Sequence, residues 1–153
     1  MDIDLVCIEF GSTQKAIVKM MQYLLIFIGG GAGSLLRYFI SKYLNSLQSN
    51  FLPLGTLMAN VISCFILGIV IQKHLEHRID DPIKWLLAIG FCGGMSTFST
   101  FAFEIMEYIQ KGQLAFGVSY ILLSIILGAI MLFWGMKVVS VWVYLRIEKW
   151  FLT

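Results

Sequence analysis

Three side chains of this sequence could hold or steer an ion inside otherwise apolar stretches: Arg37, Asn60 and Glu104. Charged and amide groups at membrane depth are costly, so they usually face a protein interior or a water-filled path and are functional candidates by default. Asn60, in "GTLMANVIS", can donate its amide to an anion or bond a neighbouring helix. Arg37 either reaches back to the interface or serves a site. Glu104 is expected to be a structural partner, through an ion pair with Arg37 or a helix cap, with proton binding as the alternative. Thr56 stands four residues before Asn60, and Tyr120, Ser124 and Gly128 repeat that spacing, so each set shares one helix face. Hydroxyls on such a face make either an interhelical hydrogen-bond seam or a polar track along a pore.

The stretch "GFCGGMSTFSTFAFE", residues 90–104, adds a second kind of chemistry. Gly90, Gly93 and Gly94 permit a helix break, and the freed backbone groups must then be satisfied by neighbours, ions or hydroxyls such as Ser96, Thr97, Ser99 and Thr100. Free carbonyl oxygens suit a small cation, whereas the N-terminus of a half-helix suits an anion. Phe98 and Phe101 stand three apart, on one helix face. Aromatic rings are positive at the edge, so edges turned into a narrow path would attract an anion without trapping it. The plainer alternative is that both rings pack or face lipid.

These groups must be positioned by membrane helices. The composition is 59% hydrophobic and 13% charged, with a mean hydropathy of +0.85, far from a soluble domain. A helix crossing about 30 Å of hydrocarbon needs about 20 mostly apolar residues. Four segments qualify: Tyr23 to Ile40, Leu54 to Ile71, Ile83 to Tyr108, and Leu114 to Met136. Residues 21–137 therefore form one four-helix membrane domain. Residues 1–20 read as a weakly ordered extension unlike a secretory signal, with Met20 or Met21 as an alternative start. Residues 138–153 mix Trp142, Tyr144 and Trp150 with Arg146 and Lys149, the composition of an interfacial tail.

With four crossings, both termini and the 72–84 loop share one side. Lys15, Lys19, Lys73, Arg78, Lys84, Lys137, Arg146 and Lys149 lie there, against Arg37, Lys42 and Lys111 opposite, a bias of eight to three that favours cytoplasmic termini. Cys7, Cys64 and Cys92 are too widely spaced for a metal site and read as packing residues. His74 and His77 sit in a polar, solvated loop. A net charge of +2 leaves no nucleic-acid footprint, "GGGAGS" lacks the ending of a phosphate-binding loop, and no catalytic cluster falls at membrane depth, so no enzyme is expected.

Four motifs in order, "GGGAGSLLRY", "PLGTLMANVISCFILG", "GFCGGMSTFSTFAFE" and the helix-four Tyr120-x-x-x-Ser124, resemble the Fluc/CrcB family of fluoride channels over residues 22–136. The resemblance implies an all-α membrane protein of four helices with a break in the third, an antiparallel, dual-topology homodimer in the lipid bilayer of the inner or plasma membrane, and passive fluoride export that reduces fluoride toxicity. It implies that Phe98 and Phe101 line a fluoride pore, that Asn60 donates to fluoride, and that Tyr120 and Ser124 continue the polar track, with Thr56 beside it and Arg37 in the vestibule. It also implies a structural sodium ion at the dimer centre, held by the backbone carbonyls of Gly93 and Ser96 of both subunits.

Departures from the family pattern have expected consequences. Ser96 and Thr97 stand where the family often has two threonines, and Ala102 removes a hydroxyl. Ser63 replaces a usual glycine and is expected to loosen close packing, Gly128 shortens the polar track, and the eight-to-three charge bias runs against insertion in both orientations. The rival function is a small proton-coupled multidrug exporter of four-helix, dual-topology type, for which Glu104 is the one suitable carboxylate.

Overall fold

The computed structural model describes the backbone of residues 3–46 and 52–151, and side chains over 14–44 and 52–141. Its elements are α1 (Ile3–Ser46), α2 (Leu54–Leu75), α3 (Asp81–Lys84), a π-helical segment (Trp85–Cys92), α4 (Gly93–Met95), α5 (Phe98–Gln110) and α6 (Leu114–Phe151). Four of the resulting spans are long and apolar enough to cross a membrane: Gln14–Leu44, Leu54–Leu75, Asp81–Gln110 and Leu114–Val141. They match the four crossings expected from hydropathy. At 1.5 Å per residue α1 and α6 run about 66 and 57 Å, well beyond the hydrocarbon thickness. The excess includes residues 3–20 and 138–151, drawn as continuations of these two helices. The order of the extension and the interfacial placement of the tail rest largely on side chains outside the described residues.

The crossings pair in parallel, first with third and second with fourth, because residue numbers rise together along each seam. Gly29 lies against the Leu86 carbonyl and Gly33 against the Phe91 carbonyl, while Gly94 meets Gly30 from the other side. A Cβ at Gly29, Gly33 or Gly94 would collide with the opposing backbone, so the small residues set how closely the helices approach. The second seam uses Gly68 against Leu132 and Gly135 against Phe65 in the same way. Gly55, against Ser41, ties the start of α2 to the end of α1.

Of the four spans α2 is the most enclosed, with 44% of its apolar window buried against 11–17% for the others, so it is the post around which the rest are arranged. Its Leu57 and Val61 form a buried cluster with Tyr120 of α6, flanked by Phe101 and Ile105 of α5.

The third crossing is interrupted, but not at its glycines. Gly93 keeps right-handed helical dihedrals, and the chain turns extended at Ser96 (φ −75°, ψ 151°) and Thr97 (φ −146°, ψ 119°). Gly90 and Gly94 instead serve the seam with α1. Glycine makes a break easy, yet close helix contact uses the same absence of a side chain, and here the contact takes precedence.

Candidate ion pathway at the helix break

Two polar clusters meet the interrupted crossing. The first spans the break. The Thr97 N–H, which an uninterrupted helix would turn to the Gly93 carbonyl, donates to Asn60 Oδ1 at 2.8 Å, and Asn60 Nδ2 donates to the Thr97 carbonyl at 3.3 Å. Asn60 thus replaces the backbone on both sides of one residue. The Thr100 N–H, similarly, donates at 3.3 Å to Thr97 Oγ1 rather than to the Ser96 carbonyl, so Thr97 caps α5. Gly93 and Ser96 are thereby left with carbonyls that have lost their helical donors, and both residues are exposed. Among the described residues, nothing beyond its chain neighbours and its own helix backbone lies within 4 Å of where a Gly93 Cβ would stand.

Just upstream, the Gly94 carbonyl accepts from Ser34 Oγ and Arg37 Nε, each at 3.3 Å. The Cys92 carbonyl accepts from the Ser96 N–H, from Ser96 Oγ and from Ser63 Oγ, each at 2.9 Å.

The second cluster lies one to two turns into α5. Thr56 Oγ1 donates to Glu104 Oε1 at 2.6 Å and the Tyr120 hydroxyl donates to Glu104 Oε2 at 2.9 Å, so both carboxyl oxygens are engaged by hydroxyls from two other helices. Tyr120 is 1% exposed. Its ring meets Phe101 with centroids 5.0 Å apart, and Phe101 in turn meets Phe98 at 6.2 Å. A chain of aromatic and polar contacts is therefore contiguous, from Phe98 through Phe101 and Tyr120 to Glu104 and Thr56. One turn further along α6, the buried Ser124 Oγ has no hydrogen-bond partner among the described residues.

A family profile described as "CrcB-like protein, Camphor Resistance (CrcB)" matches residues 24–136, which hold all of these groups. The chain belongs to the CrcB family. A relative named fluoride-specific ion channel FluC 1, from Yersinia pestis, is 44% identical over 67% of this chain and 80% of its own length. Another, named fluoride-specific ion channel FluC, from Gloeothece citriformis (strain PCC 7424), is 36% identical over 82% of this chain and 97% of its own length. A third of that name, from Chlorobium phaeobacteroides (strain BS1), is 35% identical over 78% of this chain and 93% of its own length. With its four apolar spans, this CrcB chain is a multi-pass membrane protein.

Each residue singled out in the CrcB sequence has a definite place. Phe98, Phe101, Tyr120, Thr56 and Ser124 fall on or beside one path, and Asn60 sits at its head, on the break. Arg37 is not the partner of Glu104: its Nε is committed to the Gly94 carbonyl, on the α1 side of the third crossing, while Glu104 turns to Thr56 and Tyr120. Arg37 bonds the chain before the break and Glu104 lies after it, bonded to α2 and α6, so the two do not pair. Ser63 does not act as a loose replacement for glycine. It is 3% exposed and its hydroxyl has an acceptor, so the added atom is accommodated by a bond. Its i, i+3 relation to Asn60 was the signal in the sequence that both face the same neighbour. The π-helical segment had no such signal.

Proposed function

We propose that this CrcB protein is a fluoride-selective channel that exports fluoride passively, and that it works as an antiparallel homodimer inserted in both orientations. The observation that carries this reading is the interruption of the third crossing immediately before Phe98 and Phe101, in a chain whose family relatives bear fluoride-channel names. The activity is transport and not catalysis.

Fluoride is small and strongly hydrated, so a selective path must exchange its water for several donors in a constriction too narrow for larger anions. The residues supply that chemistry in order. Phe98 and Phe101 offer ring edges, Asn60 keeps one amide hydrogen beyond the one given to Thr97, and the Tyr120 and Ser124 hydroxyls continue along α6. Thr56 and Tyr120 hold Glu104 by both oxygens, which fixes the Tyr120 side chain with its ring against Phe101. Arg37 would draw anions to the mouth of the path while braced on the Gly94 carbonyl.

A second copy is supported by what a single chain leaves uncovered. Phe98 is 80% exposed, and Gly93 and Ser96, close by in the chain, are exposed as well. The carbonyls of Gly93 and Ser96 are hard oxygen donors released by Asn60 and Thr97, which fits a sodium ion shared with the partner's equivalents. Bound there, sodium would supply positive charge that offsets the cost of an anion in low dielectric.

The test is efflux from liposomes holding the purified protein. Fluoride should leave and charge the membrane while chloride is retained, and Phe98→Ile with Phe101→Ile should stop the flux with assembly intact. Proton-coupled export of an aromatic cation instead would favour the exporter, and equal chloride flux would overturn the selectivity.

A further inference from the structure

We propose that α2 fixes the geometry of the break by a two-point grip, Asn60 on Thr97 after it and Ser63 on Cys92 before it, and that Ser63 is thereby a positioning residue for the Gly93 and Ser96 carbonyls. The inference rests on the cation reading of those carbonyls given above.

Asn60 and Ser63 are three residues apart, so they project from one face of α2. Their acceptors and donors lie at 92 and 97, and the intervening residues include both Gly93 and Ser96. The bond from Ser63 is not required to satisfy Cys92. That carbonyl already receives the Ser96 N–H and Ser96 Oγ, and an oxygen with two lone pairs gains little solvation from a third donor. Nor does Ser63 turn its hydroxyl back onto its own helix, the usual resort of a buried serine in a membrane helix. The bond is a tether between helices. It holds the last turn before the break to the most enclosed helix of the bundle, while the bonds from Ser96 to the same carbonyl commit that residue's N–H and hydroxyl and leave its own carbonyl without its helical donor.

A site for a small cation tolerates little error in the spacing of its oxygens, so a tether that fixes Cys92 fixes the carbonyl one residue on. Without the Ser63 hydroxyl, the turn before the break keeps its packing, chiefly on the α1 seam, but loses its hydrogen bond to α2, whereas Thr97 stays with Asn60, and the two carbonyls can separate. The loss should appear as weaker cation binding, with folding little changed because no buried donor is stranded: the hydroxyl leaves and its acceptor keeps two partners.

The test is a sodium titration of the full chain against N-methyl-D-glucamine at constant ionic strength and fixed fluoride, read by the thermal unfolding midpoint and, in liposomes, by fluoride efflux. Ser63→Ala should raise the sodium concentration for half the midpoint shift by about fivefold, the worth of one hydrogen bond. Its midpoint without sodium should move by no more than about 2 °C, a small part of what a lost core contact gives. Ser63→Thr, which keeps a hydroxyl, should stay within about twofold of the parent, and Ser63→Cys, a weak donor of similar size, should fall between. Parental half-saturation in Ser63→Ala and Ser63→Cys, or a fall in the sodium-free midpoint alone, overturns the positioning role while leaving the cation reading intact. A parent whose midpoint ignores sodium overturns both.

Discussion

The two halves of the third crossing are held by different physics. Before the break, residues 81–95 rest on α1 through backbone: Gly29, Gly33, Gly90 and Gly94 bring the chains so close that a single Cβ would not fit at any of them. After it, α5 has no buried residue and is held by side chains, through Phe101 on Tyr120 and through the carboxyl of Glu104. Backbone contact fixes position and leaves no side chain for chemistry. Side-chain contact keeps polar groups and ring edges at the surface of a path, at some cost in rigidity. The residues proposed to face ions lie where these regimes meet, with α2 reaching across to both.

That contrast can be broken most severely at the seam. Gly94→Ala should destabilise the fold by about 3 kcal/mol, because its methyl meets the Gly30 backbone, which cannot step aside. Gly93→Ala, one residue earlier with open space around it, should change unfolding by less than about 0.5 kcal/mol and instead weaken sodium dependence. Equal effects at the two positions, in a denaturation series of both variants, would remove the distinction between seam and open face.

Asn60→Ala should come next. It deprives Thr97 of both partners, and leaving its backbone groups unpaired in an apolar setting should cost about 2 kcal/mol, together with most of the fluoride efflux. Glu104→Gln keeps one oxygen acceptor but loses the bond from either Thr56 or Tyr120, about 1 kcal/mol. A double-mutant cycle with Tyr120→Phe should show coupling, since the two groups share that bond. The smallest effect on folding belongs to Phe98→Ile. Its ring is mostly exposed in the single chain, so the unfolding midpoint of that variant should barely move, whereas Phe101→Ile, which loses the Tyr120 contact, should cost about 1 kcal/mol. Both should lose fluoride flux, so stability and transport separate at one position and not at the other.

Much of the architecture was legible. Spans appear as uncharged runs of adequate length because lipid imposes that pattern on each helix independently of its neighbours. The small residues of "GGGAGSLLRY" were readable as a contact face for the same reason: close approach requires absent side chains whatever lies opposite. The hydroxyl-bearing faces of α2 and α6 were readable from spacing. The location of the break was not, since Gly90, Gly93 and Gly94 suit both interruption and close packing and only the presence of α1 against two of them decides the matter. Ser63 was misread because whether a hydroxyl loosens or fastens a helix depends on finding an acceptor, and Cys92 comes from another crossing. The pairing of Glu104 with Thr56 and Tyr120 in place of Arg37 has the same origin.

Hydrophobicity and spacing, local properties read one helix at a time, determined by themselves that this chain crosses a membrane four times and which faces of its helices carry polar groups. Which of those groups meet was decided only by the tertiary structure. Seams of glycine between parallel crossings set the depth of each helix against the next, and a hydrogen bond a few ångströms long depends on that relative depth, which no single segment encodes.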